Sequence, residues 1–332
     1  MANKMKIVYY ISWGIGQFPH MFPYYKEIGG LVYTTNDIAK AQLQKEYGEI
    51  NVTSDFEDVK SYDPDIMMYP DYHKMIRELK AKNVLVFHAI ELKGYYSARA
   101  EWNNCEEFDL CLLYSKKMLQ DFEDKGWNIK YKIIGYPKLD NIINLKYKIF
   151  DNNKKTILVA PTWGDLSLLH KFKYEIIKLS KKYNIILKPH PLTTISNYRD
   201  NNQDNMKVLI NAKSDSLKIF GNADILPLMN ISDMIITDYS GSSCEFMHFN
   251  KPIIIAKPDS IPSMSLKKPD VWKVFKVCNN ATDLADIVKK QFKNDDMKNE
   301  REEDFKELIY TEKETTATER GILAMKQLLR GE

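Results

Sequence analysis

The sequence predicts an α/β chain built on parallel sheets, and three observations carry that prediction. Short runs such as Val84 to Phe87 and Met234 to Thr237 are hydrophobic almost throughout and rich in β-branched residues, as strands covered on both faces require. Amphipathic helical segments separate them, Leu168 to Lys182 being the clearest. Strand after strand ends in a polar, Gly- or Pro-containing turn, at the edge where open α/β sheets hold their ligands. A chain of 332 residues is long enough for two such domains, each with its own core.

Composition narrows the class. With 44% hydrophobic and 28% charged residues the chain is globular. A net charge of +3 is too small to argue for nucleic acid, and scattered lysines describe solvated helix faces. Cys105, Cys111, Cys244 and Cys278 show neither CxxC nor metal-ligand spacing, which predicts reduced thiols and a cytoplasmic protein. The N-terminal stretch lacks a long apolar region, and no run approaches the roughly 18 apolar residues of a membrane span.

The first domain is expected over residues 1–145. It opens with a strand from Lys6 to Ile11 and a turn through Trp13, Gly14, Ile15 and Gly16. With Pro19 in place of the last glycine of G-x-G-x-x-G, the turn reads as a tight backbone passage rather than a dinucleotide site. Strands follow at Leu31 to Thr34 and Ile66 to Tyr69, with helices at Asn36 to Glu46 and His73 to Lys80. The strand Val84 to Phe87 delivers His88 to its carboxyl end, although a lone histidine there is more often structural. A strand at Asp109 to Tyr114, a helix from Ser115 (its N-cap) to Lys125 and a strand at Tyr131 to Ile134 lead into Gly135-Tyr136-Pro137-Lys138-Leu139-Asp140. The Lys/Asn-rich stretch from Asn144 to Lys155 is the linker candidate.

The second domain is expected over residues 146–332. Its first strand, Thr156 to Ala160, feeds Pro161-Thr162-Trp163-Gly164-Asp165, and a later one ends in Lys188-Pro189-His190-Pro191, whose prolines fix the imidazole. A short helix from Ile225 to Asn230 precedes the strand Met234 to Thr237. After that strand come Asp238, Tyr239, Ser240, Gly241, Ser242 and Ser243, opening a helix from Cys244 to Phe249. Such a turn reads either as a capped helix or as a phosphate site made of unpaired N–H groups. The basic, Pro-rich loop from Lys257 to Lys273 reads as a surface loop, with a place over a cleft or against a membrane as the other option. A final helix runs from Ala317 to Leu329.

The string I-S-D-M-I-I-T-D-Y-S followed by N-K-P-I-I resembles the CDP-glycerol glycerophosphotransferase family, the teichoic-acid polymerases and their relatives. Four more stretches resemble its motifs in order: His88 with Lys93 and Gly94, G-Y-P-K-L-D, P-T-W, and K-P-H-P. A weaker likeness lies at Ala317-Thr318-Glu319-Arg320. The likeness covers about residues 83–325 and departs from the family at Ala89, at Gly164, and at Glu314-Thr315. It implies a GT-B-like fold: two Rossmann-like domains with parallel sheets facing a central cleft, the nucleotide on the second, and the last helix (about 317–329) returning toward the first.

The resemblance also implies roles. His88 is the expected general base with Lys93 nearby, and His190 is expected at the transferred phosphate. Thr162, Trp163, Lys188, Thr237, Asp238, Ser240, Ser242 and Ser243 are expected around the donor, and Arg320 toward its diphosphate. The implied reaction moves glycerol phosphate or ribitol phosphate from a CDP-alcohol to a glycan or polyol-phosphate acceptor and releases CMP. It would belong to teichoic-acid-like or capsule synthesis, at the inner face of the cell membrane, on a lipid-linked acceptor. No cofactor and no metal are expected, Asp238 being the one tempting ligand. Two other classes stay open: a GT-B nucleotide-sugar transferase or epimerase, with Glu245 gripping the ribose, and a non-catalytic glycan-binding module.

Overall fold

The computed structural model describes residues 5–12, 14–71, 76–88, 90, 105–142, 148–194, 202–221, 224–238, 240–259 and 273–332. The chain divides into two units. One takes residues up to Ile90, from 105 to Asn141 and from Lys306 to Glu332; the other runs from Ile142 to Phe305.

The first unit holds a seven-stranded sheet of β1 (Ile7–Ile11), β2 (Leu31–Thr34), β3 (Val52–Thr53), β4 (Ile66–Tyr69), β5 (Lys82–Val86), β6 (Leu110–Leu113) and β7 (Tyr131–Ile133). The strands lie in the order β3-β2-β1-β4-β5-β6-β7, every pair parallel. The second unit holds six parallel strands: β8 (Thr156–Ala160), β9 (Asn184–Leu187), β10 (Leu217–Ile219), β11 (Met234–Thr237), β12 (Ile253–Ala256) and β13 (Lys276–Cys278). Their order is β10-β9-β8-β11-β12-β13. Both are doubly wound sheets in which the strand order reverses between the first and fourth strands, so each unit has a switch point for a ligand.

The α/β expectation holds, and β2, β4, β6, β11 and β12 are buried at every position, as parallel sheets covered on both faces demand. Ile7, Tyr9, Ile11, Val32, Ile66 and Met68 anchor the core of the first unit. Ile157, Val159, Phe172, Ile185 and Ile236 anchor that of the second. Ser115 caps its helix by accepting from the Met118 N–H at 3.1 Å.

Three local readings change. The chain after β1 is no mere turn: Ile15–His20 is a 3-10 helix and Phe22–Ile28 an α-helix that carries Pro23 in its first turn, where a missing N–H costs nothing. The helix expected from His73 to Lys80 is a turn over residues 76–80, with the Ile76 N–H donated to the Tyr69 hydroxyl at 3.0 Å; residues 73–75 lie outside the described residues. The helix after β11 begins at Ser242, two residues earlier than expected.

The C-terminal helix Ala317–Arg330 opens with a capping box between Thr316 and Glu319 and belongs to the first unit. The Asp140 carboxylate accepts from both the Thr318 N–H and hydroxyl, each at 2.7 Å. Arg320 reaches the Ile134 carbonyl through two nitrogens at 2.8 and 2.6 Å and lies over the Tyr310 ring. Gly321 is required by packing, since a Cβ there would sit 2.2 Å from the Tyr24 hydroxyl oxygen.

Candidate active site

In the second unit three adjoining strand ends, those of β9, β8 and β11, carry the residues singled out in the sequence. Their foundation is Asp238, which is fully buried. Its carboxylate accepts from the Thr162 N–H at 2.9 and 3.0 Å and from the Leu168 N–H at 2.8 Å. Charge-assisted bonds of this kind contribute about 1.5–3 kcal/mol each, so Asp238 fixes the loop after β8. Asp238, expected around the donor, has oxygens that serve backbone N–H groups 70 and 76 residues away.

That loop presents Trp163, half-buried, with its ring centroid 6.3 Å from that of His190. Gly164 takes a left-handed φ of +66°, which favours glycine at the position where the family has a basic residue. Its carbonyl accepts from His170 Nε2 at 3.1 Å and Asn202 Nδ2 at 2.9 Å, a second tether on the loop.

His190 follows β9 and is half-buried. Its Nδ1 accepts from the Leu192 N–H at 3.2 Å. A nitrogen that accepts from an N–H carries no proton, so the neutral ring holds its proton on Nε2 and is a hydrogen-bond donor there. Lys188, just before it, is buried, with Nζ 3.4 Å from the Pro189 carbonyl.

After β11 the hydroxyls form a chain. Thr237 Oγ1 donates to the Ala160 carbonyl at 2.7 Å and lies 3.1 Å from Ser242 Oγ. Ser242 Oγ donates to Ser240 Oγ at 3.0 Å, and Ser243 Oγ to the Ser240 carbonyl at 2.9 Å. Ser240 is half-buried, whereas Ser242, Ser243 and Glu245 are buried. Lys251, in the N-K-P-I-I string, donates to the Asn230 and Ser232 carbonyls at 2.8 and 2.7 Å and so caps the helix Ile225–Ile231.

In the first unit His88 stands two residues beyond β5 with an exposed ring. Its Nδ1 lies 2.9 Å from the Pro70 carbonyl, just past the end of β4, and 3.9 Å from Asp71 Oδ2. A carbonyl only accepts, so Nδ1 carries the proton and Nε2 keeps its lone pair. Behind His88 lies His20, the last residue of the 3-10 helix after β1. Its ring centroid is 6.2 Å away with the planes at 83°. The sequence reading missed His20, although it is one of only six histidines in the chain.

Other expected positions fall elsewhere. Arg320, expected at a diphosphate, is committed within the first unit to the Ile134 and Thr315 carbonyls. Lys93, Tyr239 and most of the basic loop lie outside the described residues. Among the described residues no helix is long and apolar enough to cross a membrane, and no three His, Cys, Asp or Glu side chains form a set that could hold a metal ion.

Two doubly wound units, each with chemistry-bearing side chains at adjoining strand ends, put the chain in the class of two-domain Rossmann-type proteins with GT-B architecture. The sequence match to the CDP-Glycerol:Poly(glycerophosphate) glycerophosphotransferase family spans residues 71–323, and the chain belongs to that family. It is 31% identical over 145 residues to the teichoic acid poly(glycerol phosphate) polymerase of Bacillus spizizenii, covering 38% of this chain and 34% of that protein. It is 33% identical over 160 residues to the teichoic acid glycerol-phosphate primase of Bacillus subtilis, covering 44% and 39%. The matches thus span between about a third and two-fifths of these relatives' length. The solved wall teichoic acid polymerase TagF shares the fold, with a TM-score of 0.69 at 17% identity over 98% of this chain and 90% of that one.

Proposed function

We propose that this chain transfers glycerol phosphate or ribitol phosphate from a CDP-alcohol to a glycan or polyol-phosphate acceptor in cell-surface polymer synthesis. The acceptor hydroxyl attacks the phosphorus that bears the polyol, the bond from that phosphorus to CMP breaks, and CMP leaves. The acceptor's proton passes to His88 Nε2, with the Asp71 carboxylate 3.9 Å from Nδ1.

The observation that carries this reading is the Pro70 carbonyl on His88 Nδ1, which leaves an exposed ring with its lone pair on Nε2. His190 in the second unit supports the donor half, since Nε2–H suits a phosphoryl oxygen. Ser240 adds the half-buried hydroxyl at the end of its chain, and Trp163 an adjoining wall. Family membership selects a CDP-alcohol over the nucleotide-sugar donors that the fold would equally admit. Catalysis is metal-independent in this reading, with Asp238 committed to its loop. The setting is the inner face of the cell membrane, where a lipid-linked acceptor is presented.

Mass spectrometry of products from CDP-glycerol and CDP-ribitol, each offered with a panel of glycan and polyol-phosphate acceptors and with EDTA present, tests this directly. CMP release coupled to an acceptor one polyol phosphate heavier is the expected result. Turnover of UDP-sugars alone, or restoration of activity only by Mg²⁺ or Mn²⁺, refutes the donor or the metal-free step respectively.

A further inference from the structure

His88 is exposed, and a single hydrogen bond to Pro70 does not by itself stop such a ring from turning over. A half-turn about the terminal torsion would put Cδ2 where Nδ1 stands and Cε1 where Nε2 stands, taking Nδ1 off the Pro70 carbonyl and pointing the lone pair elsewhere. What backs the ring is His20, which is 4% exposed, sits 6.2 Å centroid to centroid from His88 and stands almost perpendicular to it. His20 is itself held from behind. Its Nδ1 is 3.0 Å from the Tyr136 hydroxyl, and Tyr136 packs edge-on against Tyr114 with centroids 4.6 Å apart. Tyr136 is 2% exposed, so the whole support is buried.

We propose that His20 is a positioning residue for His88: a buried imidazole, tied to Tyr136, that packs across the base and keeps its ring in the Nδ1–H orientation. The proposal rests on the reading of His88 as the base. The wall must also be uncharged, because a second imidazolium beside His88 would oppose the proton that His88 has to accept. Burial pushes the His20 pKa well below its ordinary value, and the charges of Lys138 and His88 act in the same direction. The charged and titratable groups around the pair come from three places. Asp71 follows β4, Lys138 and Tyr136 follow β7, and Cys105 lies near Asp71 with its thiol raised by burial to about 12. Asp71 is then the charged group 3.9 Å from His88 Nδ1, and buried His20 stays neutral beside it.

Histidine-¹⁵N-labelled full-length protein gives a readout that needs no turnover, because imidazole nitrogen shifts report tautomer and charge. His88→Ala assigns the His88 signals and His20→Phe those of His20. In the unaltered protein His88 should be the Nδ1–H tautomer, and His20 should remain neutral from pH 8 down to 5. His20→Ala should give His88 a mixed tautomer and lower kcat about tenfold or more with little change in the donor KM, as small misplacements of a reacting group do. His20→Phe, which restores a ring of similar breadth, should recover both. Where His20→Ala fails to fold, Tyr136→Phe takes its place and should shift the His88 tautomer in the same sense. An unmoved tautomer in both His20→Ala and Tyr136→Phe, no recovery in His20→Phe, or a His20 that titrates between pH 5 and 8, overturns the proposal. Near-normal turnover in His88→Ala overturns the base assignment instead, and the nitrogen shifts still decide whether His20 holds the ring.

Discussion

His88 and His190 stand just beyond the carboxyl ends of strands in two sheets of the same strand order, yet their rings are set in opposite senses. His88 gives its Nδ1 proton to a carbonyl, so Nε2 is left to accept. His190 takes a backbone N–H on Nδ1, so in the neutral ring Nε2 carries the proton. Their places differ as well. His88 follows the fifth strand of its sheet and His190 the second, on either side of the respective switch points. What differs is one backbone neighbour per ring, and that suffices to make one imidazole a base and the other a donor.

The sharpest way to break the comparison is His88→Ala. A general base contributes roughly 10²–10⁴-fold, so kcat should fall by that factor while CMP affinity in calorimetry stays put. His190→Ala should act differently, lowering kcat by up to about 10²-fold and weakening CMP as well, because a donor to phosphate is felt in ground and transition states alike. Equal effects of the two variants on CMP affinity would dissolve the distinction.

A stability effect separates the units next. Gly321→Ala forces a methyl group onto the Tyr24 hydroxyl in the first unit and should destabilise it by about 1–3 kcal/mol in urea titration. The second unit should keep its CMP affinity at urea concentrations where the variant's first unit has unfolded. Smaller still, Ser240→Ala should weaken CMP about tenfold, the loss of one hydrogen bond to a charged group. Ser242→Ala, whose hydroxyl is spent within the chain, should change it less. The reverse order would move the ligand contact to Ser242.

A further effect is on pH dependence, and each unit contributes one histidine. Burial lowers the pKa of His20 in the first unit and of His248 in the second. Below the ordinary histidine pKa near 6.5 the unfolded chain therefore binds protons that the folded chain refuses, so stability is complete above that pH and falls beneath it. The slope approaches about 1.4 kcal/mol per pH unit for His20, whereas the exposed His248 contributes less. Denaturation midpoints at pH 7.5 and 5.5 should differ accordingly, and less so in His20→Phe.

Much of this frame could be read in the residues, and the limits of that reading are physical. Runs such as IVYYI and MIIT announce themselves because a parallel strand is apolar on both faces. His88 and His190 could be placed because each directly follows a strand. Their tautomers could not, since the Pro70 carbonyl that sets His88 is 18 residues away in the sequence. Asp238 and Arg320 looked like ligand contacts for a related reason. An unpaired charge in a motif cannot be told from one paired through the fold, and Arg320 meets the Ile134 carbonyl across 186 residues. His20 carried no motif, and it stands past the turn read at residues 13–16, at the end of a 3-10 helix that the sequence reading did not place.

The junction of Asp140 with Thr318 spans 178 residues, and between its halves lies the whole of the second unit. During synthesis the second sheet can close on strands that leave the ribosome one after another. The first sheet meanwhile waits without the helix that covers part of its core, because Ala324 and Met325 are translated after the second unit. That core therefore stays open for as long as the inserted unit takes to emerge, the interval in which exposed apolar strands are most apt to aggregate. The same connectivity predicts that a nascent chain stalled just short of Lys306 would bind CMP while its first unit remained unfolded.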